Sequence, residues 1–233
     1  ALLEVFGTYD MTTLLDNNAW PQGGIIDGNK IITPPPVYNV TQDTYHNTIQ
    51  NAIDSSVLGD VISVSKITGE ATVTITVDSL TFDLSGMADV AGVVVESKSF
   101  VLNSGLSATF IGSVDLVFDG MQIVTSGNNS VTVENLNIGI VGSDLQNNRA
   151  PFEANNPDNE LILLGLNIFD GRGEYASYYE VWLSHRPGVQ VQANRFKPND
   201  GLTISGTGSL ITRGGSWAAG IGAKGYRYAG DIT

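Results

Sequence analysis

A six-residue pattern recurs along this chain: an apolar residue, any residue, a small or amide residue, a variable position, one further residue, then Ile or Phe. It occurs as Val77-Asp78-Ser79-Leu80-Thr81-Phe82, Val95-Glu96-Ser97-Lys98-Ser99-Phe100, Phe118-Asp119-Gly120-Met121-Gln122-Ile123, Val133-Glu134-Asn135-Leu136-Asn137-Ile138, Leu163-Leu164-Gly165-Leu166-Asn167-Ile168 and Val191-Gln192-Ala193-Asn194-Arg195-Phe196. The starts at 77, 95, 118, 133, 163 and 191 are separated by 18, 23, 15, 30 and 28 residues. Each copy has the form of one strand's end, a one-residue corner and the next strand's start. Such a unit cannot bury its apolar face alone and must stack on a copy of itself. The uneven steps place loops of different length between corners. The pattern therefore predicts an all-β fold, a β-solenoid.

Composition agrees with that class and narrows function. Hydrophobic residues make up 42% of 233 positions, enough for a continuous core. The 27 glycines, with abundant Ser, Thr, Asn and Val, suit short strands and tight corners. Eleven basic against 24 acidic residues give a formal charge of −13, which repels nucleic acid and anionic lipid. Cysteine is absent, which excludes disulfides, thiolate metal sites and cysteine nucleophiles. No apolar run approaches the roughly 20 residues that span a bilayer, so no membrane insertion is expected. The chain begins at Ala1 without Met and closes on Gly230-Asp231-Ile232-Thr233, which has the look of an opening strand, so a longer polypeptide is expected.

Residues 1–45 differ from the remainder and are expected to form an attachment or small β-rich segment. Ile25 to Ile32 reads as a hairpin around Asp27-Gly28-Asn29, and Pro34-Pro35-Pro36 is a stiff spacer. A helix is expected over 47–58, with Asn47 as N-cap, Gln50 completing a capping box and Gly59 ending it. Ile49, Ala52, Ile53 and Ser56 share its inner face, and it would shield the open end of the stack.

Thr48-Ile49-Gln50-Asn51-Ala52-Ile53-Asp54, followed by Gly59-Asp60-Val61-Ile62-Ser63-Val64, resembles the opening of pectin-lyase-like right-handed parallel β-helix proteins. Val131-Thr132-Val133-Glu134-Asn135-Leu136-Asn137-Ile138 resembles repeats of the same group, and together the likeness covers about residues 46–200. The resemblance implies a right-handed parallel β-helix with a short N-terminal capping helix over 46–233. The group holds polysaccharide lyases, glycoside hydrolases, phage tailspikes and non-enzymatic adhesins, so it implies fold more than activity. From Gly201, the segment Leu202 to Leu210 and then Gly214-Gly215-Ser216-Trp217-Ala218-Ala219-Gly220-Ile221-Gly222-Ala223 resembles glycine-rich repeats of large bacterial surface proteins.

Period-2 alternation turns Tyr179, Val181 and Leu183 inward and leaves Tyr178, Glu180 and Trp182 outside. Gln190 and Gln192 stand beside them on the next strand, and His185 and Arg186 lie in the intervening turn. Rings flanked by amides and a carboxylate suit sugar, so these seven residues form the expected glycan site. For a lyase, Arg186, Arg195 or Lys197 would offset enolate charge, with Asp170, Glu174 and Glu180 as acids or ligands. Asp78, Glu96, Asp119 and Glu134 share one place in the corner pattern, so neighbours would lie about 4.8 Å apart. No cofactor or metal is expected, with calcium on Asp158, Glu160 and the nearby amides as the one alternative.

The expected function is a non-catalytic structural or adhesive module on a cell surface, outside the cell or on a virion, with a glycan or surface receptor as partner and self-association open. Two alternatives accompany it: a polysaccharide lyase or hydrolase with its groove along 170–197, and a purely architectural subunit of a filament or phage particle.

Overall fold

The computed structural model describes residues 25–27, 30–32, 35–66, 68–87, 93–95, 98–139, 150–172, 187–191, 201–215, 218–222 and 231–232. The chain divides into two compact units within the triple proline, at Pro35/Pro36. In the first unit, β1 (Ile25–Asp27) and β2 (Lys30–Ile32) pair antiparallel, as the Asp-Gly-Asn turn predicts.

The second unit is three sheets and one helix among the described residues. Strands β3 (Val37–Asn39), β4 (Thr44–His46), β5 (Val61–Val64), β7 (Leu80–Asp83), β10 (Ser107–Ile111), β13 (Ser130–Glu134), β16 (Asn159–Leu164), β19 (Gly201–Gly206) and β22 (Asp231–Ile232) form a nine-stranded sheet. A six-stranded sheet holds β6 (Thr72–Ile75), β9 (Ser99–Leu102), β12 (Gln122–Thr125), β15 (Phe152–Ala154), β18 (Val189–Val191) and β21 (Ile221–Gly222). The five-stranded sheet holds β8 (Val93–Val95), β11 (Val117–Asp119), β14 (Asn137–Gly139), β17 (Leu166–Asp170) and β20 (Ser209–Arg213). Pairing is parallel throughout the two smaller sheets, and in the nine-stranded sheet except where β3 pairs antiparallel with both β4 and β5.

This architecture, all-β with three mostly parallel sheets and one helix among the described residues, corrects the expected right-handed parallel β-helix, or β-solenoid, with a short N-terminal capping helix. The six-residue pattern does not mark one recurring place. Ser79 links β6 to β7, Gly120 links β11 to β12, and Asn135 and Gly165 link β13 to β14 and β16 to β17. These are three different junctions between sheets, so steps of 15 to 30 residues between copies measured nothing about stacking. The antiparallel pairings that end the nine-stranded sheet are both made by β3, with β4 ahead of the helix and with β5 after it.

What the pattern does encode is the corner. Its third residue has positive φ in four copies: 59° at Ser79, 72° at Gly120, 51° at Asn135 and 63° at Gly165. A left-handed residue turns the strand sharply and costs least for Gly or Asn. At Gly165 space is a second constraint, since a Cβ there would lie 2.2 Å from Asn135 Oδ1, which accepts from Leu166 N.

Apolar residues at alternate strand positions meet in one interior. Phe82, Phe100 and Phe110, from the nine- and six-stranded sheets, lie with ring centroids 5.2 to 5.4 Å apart. Phe152 and Phe169, from the six- and five-stranded sheets, stack at 6.4 Å. Buried amides satisfy the turns: Asn129 Nδ2 donates to Asn103 O and Leu106 O, and Asn159 Nδ2 to Asn155 O and Asn156 O.

The helix α1 (Ile49–Ser55) covers the edge of β6. Its N-cap is Thr48, one residue later than expected, because Thr48 Oγ1 accepts from Asn51 N. Gln50 is thereby released from a capping box, and its amide treats Thr74 as a neighbouring strand would: Oε1 accepts from Thr74 N at 2.8 Å and Nε2 donates to Thr74 O at 3.2 Å. The helix stops at Ser56, whose N–H bonds Ile53 O, not at Gly59. Ile49, Ala52 and Ile53 are buried as expected.

Gly165→Ala should lower unfolding free energy by about 1–3 kcal/mol, because φ and the Asn135 contact both resist a methyl. Urea denaturation of the variant against the parent measures it.

Candidate binding face of the nine-stranded sheet

Alternation puts Leu80, Phe82, Ala108, Phe110, Val131, Val133, Leu161 and Leu163 in the core and their neighbours outside. Parallel register then aligns the outer residues into columns across the strands. One column runs Val61, Thr81, Thr109, Thr132, Ile162, Ser205. A second runs Tyr45, Tyr38, Ser63, Asp83, Ile111, Glu134, Leu164. A third holds Ser107, Ser130, Glu160 and Thr203.

At the antiparallel end, the Tyr38 and Tyr45 rings stack with centroids 4.6 Å apart and 30° between planes. Tyr45 is 49% exposed, so one ring face is open to a ligand. Tyr38 Oη donates to Asp43 Oδ1 at 2.8 Å, which raises the phenol's pKa and keeps it a neutral donor. Asp83 accepts from Ser85 N and Oγ, and Glu160 from Ser130 Oγ and Ser205 Oγ. No Lys or Arg occupies an outward strand position of this sheet among the described residues.

Of the expected glycan site, Tyr178, Glu180, Trp182, His185, Arg186 and Gln192 lie outside the described residues, as do Glu96, Glu174, Arg195 and Lys197. Gln190 stands at the outward register of β18, opposite Glu153, and is buried where a solvated sheet face was expected. Beside it, Gln122 Nε2 donates to Glu153 Oε2 and its Oε1 accepts from Ser99 Oγ.

The expected acidic stack of Asp119 on Glu134 does not form. Asp119 is on the five-stranded sheet, paired with Val95 and Gly139, whereas Glu134 is on the nine-stranded sheet, between Ile111 and Leu164. The cause is the displaced corner pattern. Asp78 is committed to Ser107, whose N–H and Oγ both donate at 2.7 Å. Asp170 holds Arg172 at 2.7 Å and Arg213 at 3.3 Å in a partly exposed ion cluster. For calcium, Asp158 is exposed at a turn and Glu160 is engaged by serines; the described residues bring no three such ligands together.

Sequence reasoning missed the Tyr38–Tyr45 pair. The signal was there: Val-Tyr-Asn and Thr-Tyr-His flank a short polar turn, the form of a hairpin with both rings on one side. It also missed Lys98, 1% exposed at the variable corner position, whose Nζ donates to Thr68 O, Thr68 Oγ1 and Glu70 O. Glu70 in turn accepts from Ile49 N and Gln50 N at the start of α1.

No family model, curated protein or solved structure matches this chain. The resemblances noted above therefore rest on their own residues.

Among the described residues, four carboxylates carry depressed pKa values. Burial disfavours the charge of Asp60, but Asn39, the Val57 N–H, Gln42 and Ser56 outweigh it. Burial likewise opposes ionisation of Glu70 and Asp170, against backbone N–H groups and Arg172 respectively, and Ser107 holds Asp78 down. A folded-state pKa below the unfolded one stabilises above the ordinary carboxylate range, and that stability is lost as pH falls through the folded value. Urea midpoints should hold steady from pH 7 to about 5 and drop steeply below about 4.

Proposed function

We propose that this chain is a non-catalytic structural and adhesive module, displayed outside a cell or on a virion, that presents the outer face of its nine-stranded sheet to a glycan or another surface. The observation that carries this reading is the register-locked face itself. Seven strands from β4 to β16 align hydroxyls, carboxylates and a stacked tyrosine pair over a filled aromatic interior, so the contacts are held without movement. Pre-arranged polar groups beside exposed rings favour binding, because little side-chain freedom is lost on contact. Carboxylates with no Lys or Arg on the described strands beside them make nucleic acid an unsuitable partner for this face.

The test is a glycan array read alongside assays for new reducing ends and for unsaturated uronate absorbance. Binding without either product is the expected result. Release of reducing ends that disappears in Asp83→Asn and Glu134→Gln would replace adhesion with hydrolysis, since those two carboxylates stand two strand steps, about 9.6 Å, apart.

A further inference from the structure

We infer that the face binds a neutral, extended polysaccharide lying across the strands, with Tyr45 and Tyr38 as its anchoring platform. This rests on the adhesive reading above and adds the ligand's class, its direction and the residue that holds it.

Direction follows from register. The tyrosine column crosses seven strands, six steps of about 4.8 Å, so it offers a straight track of about 29 Å. Along the strands, by contrast, the outer face is only three columns wide. Each step is of the order of one sugar ring, so an extended chain running across the strands presents about one ring to each. The threonine column lies alongside. Thr81, Thr109 and Thr132 are partly exposed, and their hydroxyls form no hydrogen bond with other described residues. They remain available both to donate and to accept.

Chemical class follows from charge and from the rings. Asp43, Asp83, Glu134 and Glu160 line the face with no outward Lys or Arg on the described strands, so uronates and sulfated sugars meet like charge. Neutral sugar hydroxyls can donate to those carboxylates, and charge-assisted bonds of that kind are the stronger ones. The open face of Tyr45 suits the C–H face of a pyranose, and Tyr38 behind it, tied to Asp43, keeps the ring from rotating away. A rigid aromatic with few rotatable bonds anchors cheaply in entropy.

The experiment is depletion of the full chain from solution by insoluble chitin and cellulose, with soluble polygalacturonate as the anionic comparison, for the parent, Tyr45→Ala, Tyr45→Phe and Arg213→Ala. The expected result is capture by at least one neutral polymer, weakened at least tenfold in Tyr45→Ala, kept in Tyr45→Phe and unchanged in Arg213→Ala on the five-stranded sheet. Thr109→Glu, which adds a charge on the track, should also lose at least tenfold, and circular dichroism of each variant separates lost binding from lost folding. Neutral-polymer capture that survives Tyr45→Ala, or capture by polygalacturonate alone, overturns this inference and leaves adhesion standing. Retention on glycan-array ligands together with no capture by either neutral polymer does the same. Silence on every glycan, or product release, overturns the adhesive reading as well.

Discussion

Phenylalanines from all three sheets pack into one interior, and every other feature depends on that packing. A strand of three or four residues has too little apolar area to hold itself in a sheet. Here Phe82 and Phe110 of one sheet close on Phe100 of a second, and Phe152 of the second stacks on Phe169 of the third. Each strand's inward residues are therefore fixed by partners on other sheets, and alternation transmits that constraint outward. A one-residue slip would expose Phe82 and bury Thr81 and Asp83, at a cost of several kcal/mol. Fixed columns on the outer face are the consequence.

Parallel sheets leave polar edges, and this chain closes two of them, each by a different device. The six-stranded sheet ends at β6, where the Gln50 amide stands in for a missing strand and Lys98, through Glu70, ties the start of α1 to the same region. The nine-stranded sheet ends instead in the β3–β4 hairpin, whose antiparallel pairing carries the tyrosines. Edge protection and the candidate platform are thus one piece of structure at that end. Asp60, buried between them, receives Asn39, Gln42 and the Val57 N–H on Oδ2, so the hairpin and the helix turn share a charge.

The strand-rich class, the helix's inner face and the positive-φ corner were legible in the sequence, each for a local reason. Period-2 alternation in Val61 to Val64 or Ser130 to Glu134 reports burial directly, and a Gly or Asn at a corner reports its φ. What local pattern cannot report is which sheet a corner leads to. Ser79, Gly120 and Asn135 look alike because the backbone bends alike, yet they join three different pairs of sheets, and that assignment is made by packing between residues of different strands, such as Phe82 on Phe100 and Phe152 on Phe169. The same limit explains Asp119 and Glu134, equivalent in pattern and on different sheets in space. Capping shifted by one because Thr48 and Asn47 are both competent caps, and the choice depends on where Ile49 must point. Gln190 was legible as an outward residue, whereas its burial depends on whatever lies over β18.

Charge ties the structural and functional readings together. The protein is short of cations, and those seen at close range are engaged in holding the fold: Lys98 on turn carbonyls and Glu70, Arg172 and Arg213 on Asp170. Burying a lysine to 1% exposure is costly unless several acceptors converge on it, and here Thr68 and Glu70 do so. The outer face of the nine-stranded sheet has no such compensation. Among the described residues its carboxylates take hydrogen bonds from serines and from the Tyr38 hydroxyl, not from Lys or Arg, so their field reaches solvent. Under the proposed adhesive reading, a partner for this face brings donors without negative charge and tolerates a tyrosine ring lying flat against it. Hydroxyl groups on an uncharged ring meet both conditions at once, which is why the electrostatics and the aromatic geometry, arising from different residues, select the same chemistry.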